Sequence, residues 1–273
     1  MGIHFRPVFL QDVPQNFKSI ISQFFKGIYL YHRALKFVSH NKLIYFFLFP
    51  LIFNLLIYYV GLVFFDNTVE NLKNSLVSYF ANSLQFENTI FNKFITISFW
   101  LMAKSFSIFF FSFFGGYLTI IVMSPVFTYL SEKTSSIING ITYNFNLISF
   151  LKDLRRAILI AFRNIFIQFI LMMFLFLCGF LPIIGWSISI LGNLLLSSYF
   201  YGFSFMDYSN ERNRLSLSDS ISVIRKNKGM AIGLGFVFYL CLFVPIVGGV
   251  VSSFLAIISV VSATIFMEET KTI

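Results

Sequence analysis

Two long segments of the chain contain no charged residue, and proline and glycine interrupt each near its middle. The segments are residues 164–206 and 229–267, and each has about 40 residues, roughly twice the length of one membrane span. The interruptions read CGFLPIIG at 178–185 and CLFVPIVG at 241–248, and they align without gaps at Cys, Phe, Pro, Ile and Gly. The pattern therefore predicts two copies of one helical hairpin, each with its tip at the octet.

Two further apolar segments precede the hairpins. Residues 43–65 are long enough to cross a bilayer, and Pro50 and Asn54 lie one helical turn apart on one face of that span. Residues 105–130 predict a second transmembrane helix. Asn54 either contacts a substrate or holds neighbouring helices together, because an amide in a membrane span faces protein rather than lipid.

The N-terminal region predicts an amphipathic helix over residues 14–40. Its apolar positions follow helical spacing, whereas its basic residues lie off that stripe. Such a helix either lies along the membrane surface or packs against the membrane helices of its own chain.

Composition and charge assign the whole chain to the membrane. Hydrophobic residues make up 58% of the sequence, charged residues only 11%, and the mean hydropathy is +0.82. The net charge of +9 comes from basic segments before the first span, after the second span and between the hairpins, whereas residues 66–92 are poor in basic residues. By the positive-inside rule, residues 66–92 are extracytoplasmic, both termini are cytoplasmic, and a nucleic-acid partner is not needed to explain the charge.

The motifs of common enzymes are absent. The sequence contains no GxxxxGK[ST] loop, no HExxH pair and no CxxC, and its three histidines lack metal-ligand spacing. We therefore expect neither an enzyme nor a cofactor or metal site. Cys178 and Cys241 are expected to be buried free thiols.

Five motifs in order resemble a known family: PLIFN at 50–54, SPVFTYLSE at 124–132, LPIIG at 181–185, FMDYSNER at 205–212 and VPIVG at 244–248. This pattern resembles the CysZ family of bacterial inner-membrane sulfate permeases, which is related to the eukaryotic etoposide-induced endoplasmic-reticulum membrane proteins. The resemblance covers most of the chain, from about residue 20 to residue 268.

The resemblance implies a fold and a function. The fold is all-α, a single membrane domain over residues 1–273, with an amphipathic N-terminal helix, two long transmembrane helices and two re-entrant hairpins that enter the membrane only part-way. Spacing alone leaves open whether the hairpins cross fully or partly. The resemblance also implies a homo-oligomer in the bacterial inner membrane that takes up sulfate for cysteine biosynthesis, with sulfate or another small anion and the lipid bilayer as partners.

The site residues follow from this resemblance. Where the family carries a Gly-hydrophobic-Arg-Arg turn, this chain has Lys42, Leu43, Ile44 and Tyr45. Both arginines are therefore missing, and Lys42, one place before the hydrophobic residue, supplies one positive charge but no bidentate fork. The expected substrate contacts are Asn41, Lys42 and Asn54. Structural or gating roles are expected for a second set of residues: Glu132, Pro182, Gly185, Asp207, Arg212, Pro245 and Gly248. For Asp207 and Arg212, an ion pair that holds the loop in place is the alternative to contact with the substrate.

Two functions remain open from the sequence. One is a permease for sulfate or a related small oxyanion, which the basic cytoplasmic segments and the resemblance favour. The other is a non-transporting membrane scaffold or lipid-organising protein, which the missing arginine pair favours.

Overall fold

The computed structural model describes residues 17–56, 118–141, 147–182, 184–242, 244 and 248–271, together with single positions between residues 59 and 102. All the regular elements in these ranges are helical. We number them α1 (Phe17–His40), α2 (Leu43–Leu56, which begins as a 3-10 helix over Leu43–Phe47), α3 (Ser124–Asn139), α4 (Leu147–Cys178), α5 (Gly185–Arg212), α6 (Leu217–Lys226), α7 (Lys228–Leu242) and α8 (Gly248–Lys271).

Three of these helices are long and apolar enough to cross a membrane. They are the segment Arg155–Cys178 of α4 and the whole of α5 and α8. Helices α1 and α2 meet at an angle of 111°, and together they would make a fourth span. The all-helical membrane fold expected from the sequence is thus found, whereas the depth to which the hairpins enter the membrane stays a prediction.

In the structure, the first octet forms the turn between two helices. Helix α4 ends at Cys178, α5 begins at Gly185, and we call the two helices with their connecting turn hairpin 1. The side-chain amide of Gln168 on α4 donates to Ser197 Oγ on α5 at 3.0 Å, so the helices run antiparallel. Both helices extend beyond the uncharged segment 164–206, because α4 begins at Leu147 and α5 ends at Arg212.

Helices α7 and α8 flank the second octet in the same way, and we call them hairpin 2. Helix α8 lies at the centre of the molecule, in contact with α1, α2, α3, α5 and α7. Helix α7 packs tightly against α5 and α1 because glycines line both contacts: a Cβ at Gly27 of α1 would lie 3.1 Å from the backbone of Gly233.

The earlier elements are described in part. Helix α1 covers most of the expected amphipathic segment, and its buried face packs against α7 and α8. Of the two arrangements considered for this helix, the structure therefore shows packing against helices of its own chain. Helix α2 is described as far as Leu56 of the expected span 43–65. Of the expected span 105–130, residues 105–117 lie outside the described residues, and α3 continues helically beyond residue 130 to Asn139, where Gly140 ends it with φ +70°. Apart from two single positions, the expected loop 66–92 also lies outside the described residues.

Candidate functional site

The most buried ionic contact among the described residues joins the ends of two helices from different hairpins. Arg212 is the last residue of α5, and its guanidinium is paired with the carboxylate of Glu268 near the end of α8. The two side chains are only 1% and 2% exposed. The second amino group of Arg212 donates to the carbonyl oxygen and the hydroxyl of Ser131 on α3, at 2.8 and 2.6 Å. One guanidinium therefore ties three helices together.

Glu268 accepts further hydrogen bonds from three neighbours. They are Lys271 Nζ at 2.9 Å, Asn139 Nδ2 at 2.8 Å and Ser135 Oγ at 3.1 Å. Charge-assisted hydrogen bonds of this kind offset the cost of burying a carboxylate. We call this group the helix-end cluster, and its members are Ser131, Ser135, Asn139, Arg212, Glu268 and Lys271.

A second ionic group closes hairpin 1. Asp207 is buried on α5 and pairs with Arg156 Nη2 of α4 at 3.0 Å. It also accepts a hydrogen bond from Ser220 of α6, and Arg156 donates to the carbonyl oxygen of Leu215. Asp207 and Arg212 therefore belong to separate ion pairs, each with a partner from a different helix, which sequence spacing could not indicate.

The turn between α1 and α2 has an unusual backbone. Lys42 has φ 55° and ψ 31°, in the left-handed region that favours glycine, and its side chain is exposed. Asn41 donates its side-chain amide to the carbonyl oxygen of Phe37 at 2.9 Å, which holds the turn against the end of α1.

Asn54 is separated from this turn by most of α2. Its amide donates to Ser253 Oγ of α8 at 2.7 Å. At 1.5 Å per residue, the twelve positions from Lys42 to Asn54 correspond to about 18 Å of helix. The structure therefore does not bring Asn41, Lys42 and Asn54 together. The bond from Asn54 to α8 agrees with the second role considered for this residue, which is to hold neighbouring helices together.

The two hairpin tips share one hydrogen-bonding pattern. In the first, the N–H of Leu181 donates to the carbonyl of Cys178 at 3.1 Å, and that of Gly185 to Leu181 at 3.1 Å. In the second, Val244 donates to Cys241 at 3.1 Å and Gly248 to Val244 at 2.7 Å. These bonds satisfy backbone groups that proline and glycine would otherwise leave unpaired in an apolar environment.

The remaining residues expected from the sequence take no part in the helix-end cluster or in the ion pair of Asp207. Glu132 is half-buried on α3, one residue after Ser131. Pro182 is exposed at the first tip, and Pro245 lies outside the described residues. Cys178 and Cys241 are free thiols, but both are partly exposed rather than buried, because they lie at the ends of apolar helices and not in the packed centre.

Sequence reasoning missed several residues that hold the site. Ser131, Ser135 and Asn139 were not singled out, although their spacing of four residues places them on one face of α3. In the sequence, Glu268 is notable only as the first charged residue after the uncharged segment 229–267. Lys26 and Arg33 of α1 both pair with Glu269, which attaches the amphipathic helix to the end of α8.

The arrangement is suited to holding charges in fixed positions. Among the described residues, no group of three His, Cys, Asp or Glu side chains could hold a metal ion. The ion pairs connect helix ends, and the polar residues along the helices bridge neighbouring helices. Such an interior can fix the helices of a membrane protein relative to one another.

Comparison with known proteins identifies a family. The family model described as "Sulfate transporter CysZ/Etoposide-induced protein 2.4" matches residues 30–252, which include the C-terminal part of α1, the first tip and the second tip. No curated protein matches the chain. The resemblance inferred from the five sequence motifs is confirmed by the family match.

Proposed function

The chain belongs to the sulfate transporter CysZ/etoposide-induced protein 2.4 family, and from this premise we propose that it is a permease for sulfate or a related small oxyanion. The observation that carries the proposal is the family match over residues 30–252, in a chain whose described residues include three helices long and apolar enough to cross a membrane. We further propose that the protein works as a homo-oligomer in the bacterial inner membrane, with cytoplasmic termini, and supplies sulfate for cysteine biosynthesis.

The turn at Asn41 and Lys42 is the proposed point of entry for the anion. The exposed Lys42 amine lies directly before the first residue of α2. The first N–H groups of a helix have no intrahelical acceptor, and the helix dipole adds positive potential there. Because the left-handed backbone at Lys42 costs about 1 kcal/mol or more for a non-glycine residue, a functional reason for retaining lysine is expected.

Uptake of radiolabelled sulfate into proteoliposomes tests this function. We expect flux above that of empty vesicles, and we expect Lys42→Asn to reduce it about tenfold, because an ionised hydrogen-bond donor contributes about 1.5 kcal/mol or more. Asparagine tolerates the left-handed conformation, so the substitution removes the charge without new backbone strain. Lys36→Gln is the matched control, since Lys36 is an exposed cation on α1.

Two results would contradict the proposal. Folded protein without flux above empty vesicles would exclude a sulfate permease. Equal loss in Lys42→Asn and Lys36→Gln would leave transport intact as a function but remove the turn as its entry point.

We also propose that both hairpins enter the membrane only part-way, and the length of one helix supports this for hairpin 2. Helix α7 has 15 residues, which correspond to about 22 Å, less than the roughly 30 Å of a bilayer core. Single cysteines placed around Pro182 and Pro245 in a variant with Cys178 and Cys241 replaced by serine should resist a membrane-impermeant thiol reagent from outside. Labelling of either tip from outside would contradict shallow insertion of that hairpin.

A scaffold or lipid-organising protein is the second candidate, because two apolar residues replace the arginine pair of the family. Ile44 and Tyr45 are 58% and 45% exposed, so two apolar side chains face outward where the family has cations. A surface of this kind is better suited to lipid than to an oxyanion. The proteoliposome experiment separates the two functions, since a scaffold gives no flux at any sulfate concentration.

A further inference from the structure

A basic cavity lies on the segment of the chain that connects the two hairpins, far along the sequence from the turn at Lys42. It has a volume of about 430 Å³ and is lined by six residues of α6 and of the beginning of α7: Ser218, Ile221, Ser222, Arg225, Lys226 and Lys228. The volume is within the range of small-ligand sites. Three of the six residues are cations, two carry hydroxyl groups, and none of the six is a carboxylate.

The architecture of α6 directs these side chains to one side. Ser218, Ser222 and Arg225 follow the spacing of one helix face, whereas Ser220, Val223 and Ile224 are buried on the opposite face. The hydrogen bond from Ser220 to the carboxylate of Asp207 fixes α6 against hairpin 1. The cavity is therefore built on a short helix whose orientation is fixed by a buried contact.

The electrostatics of this cavity favour an anion. Arg225 and Lys226 lie in the last turn of α6, and Lys228 is the first residue of α7, so three cations gather within four positions of the chain. Lys228 is unfavourably placed for the dipole of α7, because positive charge at a helix N-terminus is repelled by the partial positive charge there. A bound anion would relieve both the mutual repulsion of the cations and this repulsion from the helix.

The hydroxyl groups make the cavity specific for an oxyanion. Ser218 and Ser222 can donate hydrogen bonds, and Arg225 offers a planar fork that matches two oxygens of a phosphate group. The cavity also lies where the apolar helix α7 begins, and Leu217, next to it in sequence, is 43% exposed. A cationic and partly apolar surface at the ends of membrane helices is the setting in which anionic lipid headgroups bind.

We propose that the cavity of α6 and α7 binds a phosphate group, carried either by an anionic phospholipid or by free inorganic phosphate. This site is separate from the proposed sulfate entry at Lys42 and does not depend on transport. As a lipid site, it would anchor the connection between the two hairpins to the membrane surface.

Native mass spectrometry of the full-length, delipidated protein tests the site. The probes are dioleoyl phosphatidylglycerol, the zwitterionic dioleoyl phosphatidylcholine and, by calorimetry, inorganic phosphate. We expect the double variant Arg225→Gln and Lys228→Gln to weaken phosphatidylglycerol binding about 30-fold, since each surface cation contributes about 1 kcal/mol. The matched control is Lys36→Gln with Lys133→Gln, which removes the same charge from exposed positions on α1 and α3.

Each outcome decides between the sources or against the site. Loss of phosphatidylglycerol binding in the double variant alone establishes a lipid site, and loss of inorganic phosphate binding without a preference for phosphatidylglycerol establishes a free-phosphate site. Equal binding of phosphatidylglycerol and of inorganic phosphate by wild type and double variant would overturn the proposal, and so would equal loss in both double variants. Equal affinity for phosphatidylcholine and phosphatidylglycerol, with no binding of inorganic phosphate, would overturn it as well. If the double variant does not fold, Ser218→Glu replaces it, because a carboxylate at this exposed position should also expel the phosphate group.

Discussion

The two hairpins have nearly the same tip, yet they occupy opposite environments. In hairpin 2, 78% of the most apolar window of α8 is buried inside the molecule. In hairpin 1 the corresponding share is 22% for the span of α4 and 44% for α5. The internal repeat therefore specifies the tip, whereas the arms determine which hairpin becomes the centre of the protein and which faces outward.

The arms differ in the size of their side chains. Helix α8 carries five buried hydroxyl residues that donate hydrogen bonds to carbonyls three or four positions earlier: Ser252, Ser253, Ser259, Ser262 and Thr264. Helix α4 instead exposes large aromatic residues, namely Phe162, Phe166, Phe169, Phe174 and Phe176. Small residues let helices approach closely in a membrane, so α8 can contact five neighbours while α4 presents its phenylalanines to lipid or to a second copy of the chain.

The largest expected effect concerns the end of hairpin 2. Glu268→Ala should lower the free energy of unfolding by about 3–5 kcal/mol, because it leaves the buried Arg212 without its counter-ion. Glu269→Ala is the neighbouring control and should cost at most about 1 kcal/mol, since its partners Lys26 and Arg33 are 47% and 44% exposed. Reversible unfolding in mixed detergent micelles measures both.

Asp207 of hairpin 1 is the buried acid that can be compared with Glu268 of hairpin 2. Asp207→Ala should cost less than Glu268→Ala, because the side chain of its partner Arg156 is 20% exposed and can regain water. An equal or larger loss for Asp207→Ala would contradict the greater structural role assigned to hairpin 2.

A smaller effect is expected from the aromatic residues of the arms. Phe238 of α7 is fully buried against the rings of Tyr201 and Phe205, at centroid distances of 5.0 and 5.1 Å. Phe238→Ala should cost about 3 kcal/mol, because it removes these contacts and leaves a cavity. Phe174→Ala, at a position 64% exposed on α4, should change the free energy of unfolding by about 0.5 kcal/mol or less. Comparable losses for the two variants would show that hairpin 1 is also covered, and in that case by another subunit.

The sequence predicted the features that depend on local patterns. Uncharged length, the Pro-Ile-x-Gly repeat and helical spacing are properties of neighbouring residues, and the structure has helices on both sides of each octet. The family resemblance also depends on short motifs, and the match over residues 30–252 confirms it.

The sequence did not predict which side chains meet across helices. Arg212 pairs with Glu268, 56 positions away, and no local pattern distinguishes that partner from Asp207 or Glu211. One tertiary contact did leave a signal: Gly229 and Gly233 form a GxxxG pattern, and both glycines face α1. The central position of α8 could likewise have been inferred from its serines, which are too many for a helix that faces lipid.

The smallest expected effect concerns the tips, where the two hairpins should behave alike. A Cβ at Gly185 would collide with the carbonyl oxygen of Cys178 and would lie 2.9 Å from that of Gly179. In the same way, a Cβ at Gly248 would collide with the carbonyl oxygen of Cys241 and would lie 2.9 Å from that of Leu242. Gly185→Ala and Gly248→Ala should therefore each cost about 1 kcal/mol, because the backbone of the turn has to shift. Gly249→Ala is the matched control, since a Cβ there meets nothing within 4 Å. If the tip is an autonomous turn, the losses at Gly185 and Gly248 will be equal despite the different burial of their arms; a loss confined to Gly248 would mean that the packed centre, and not the turn itself, holds the tip in place.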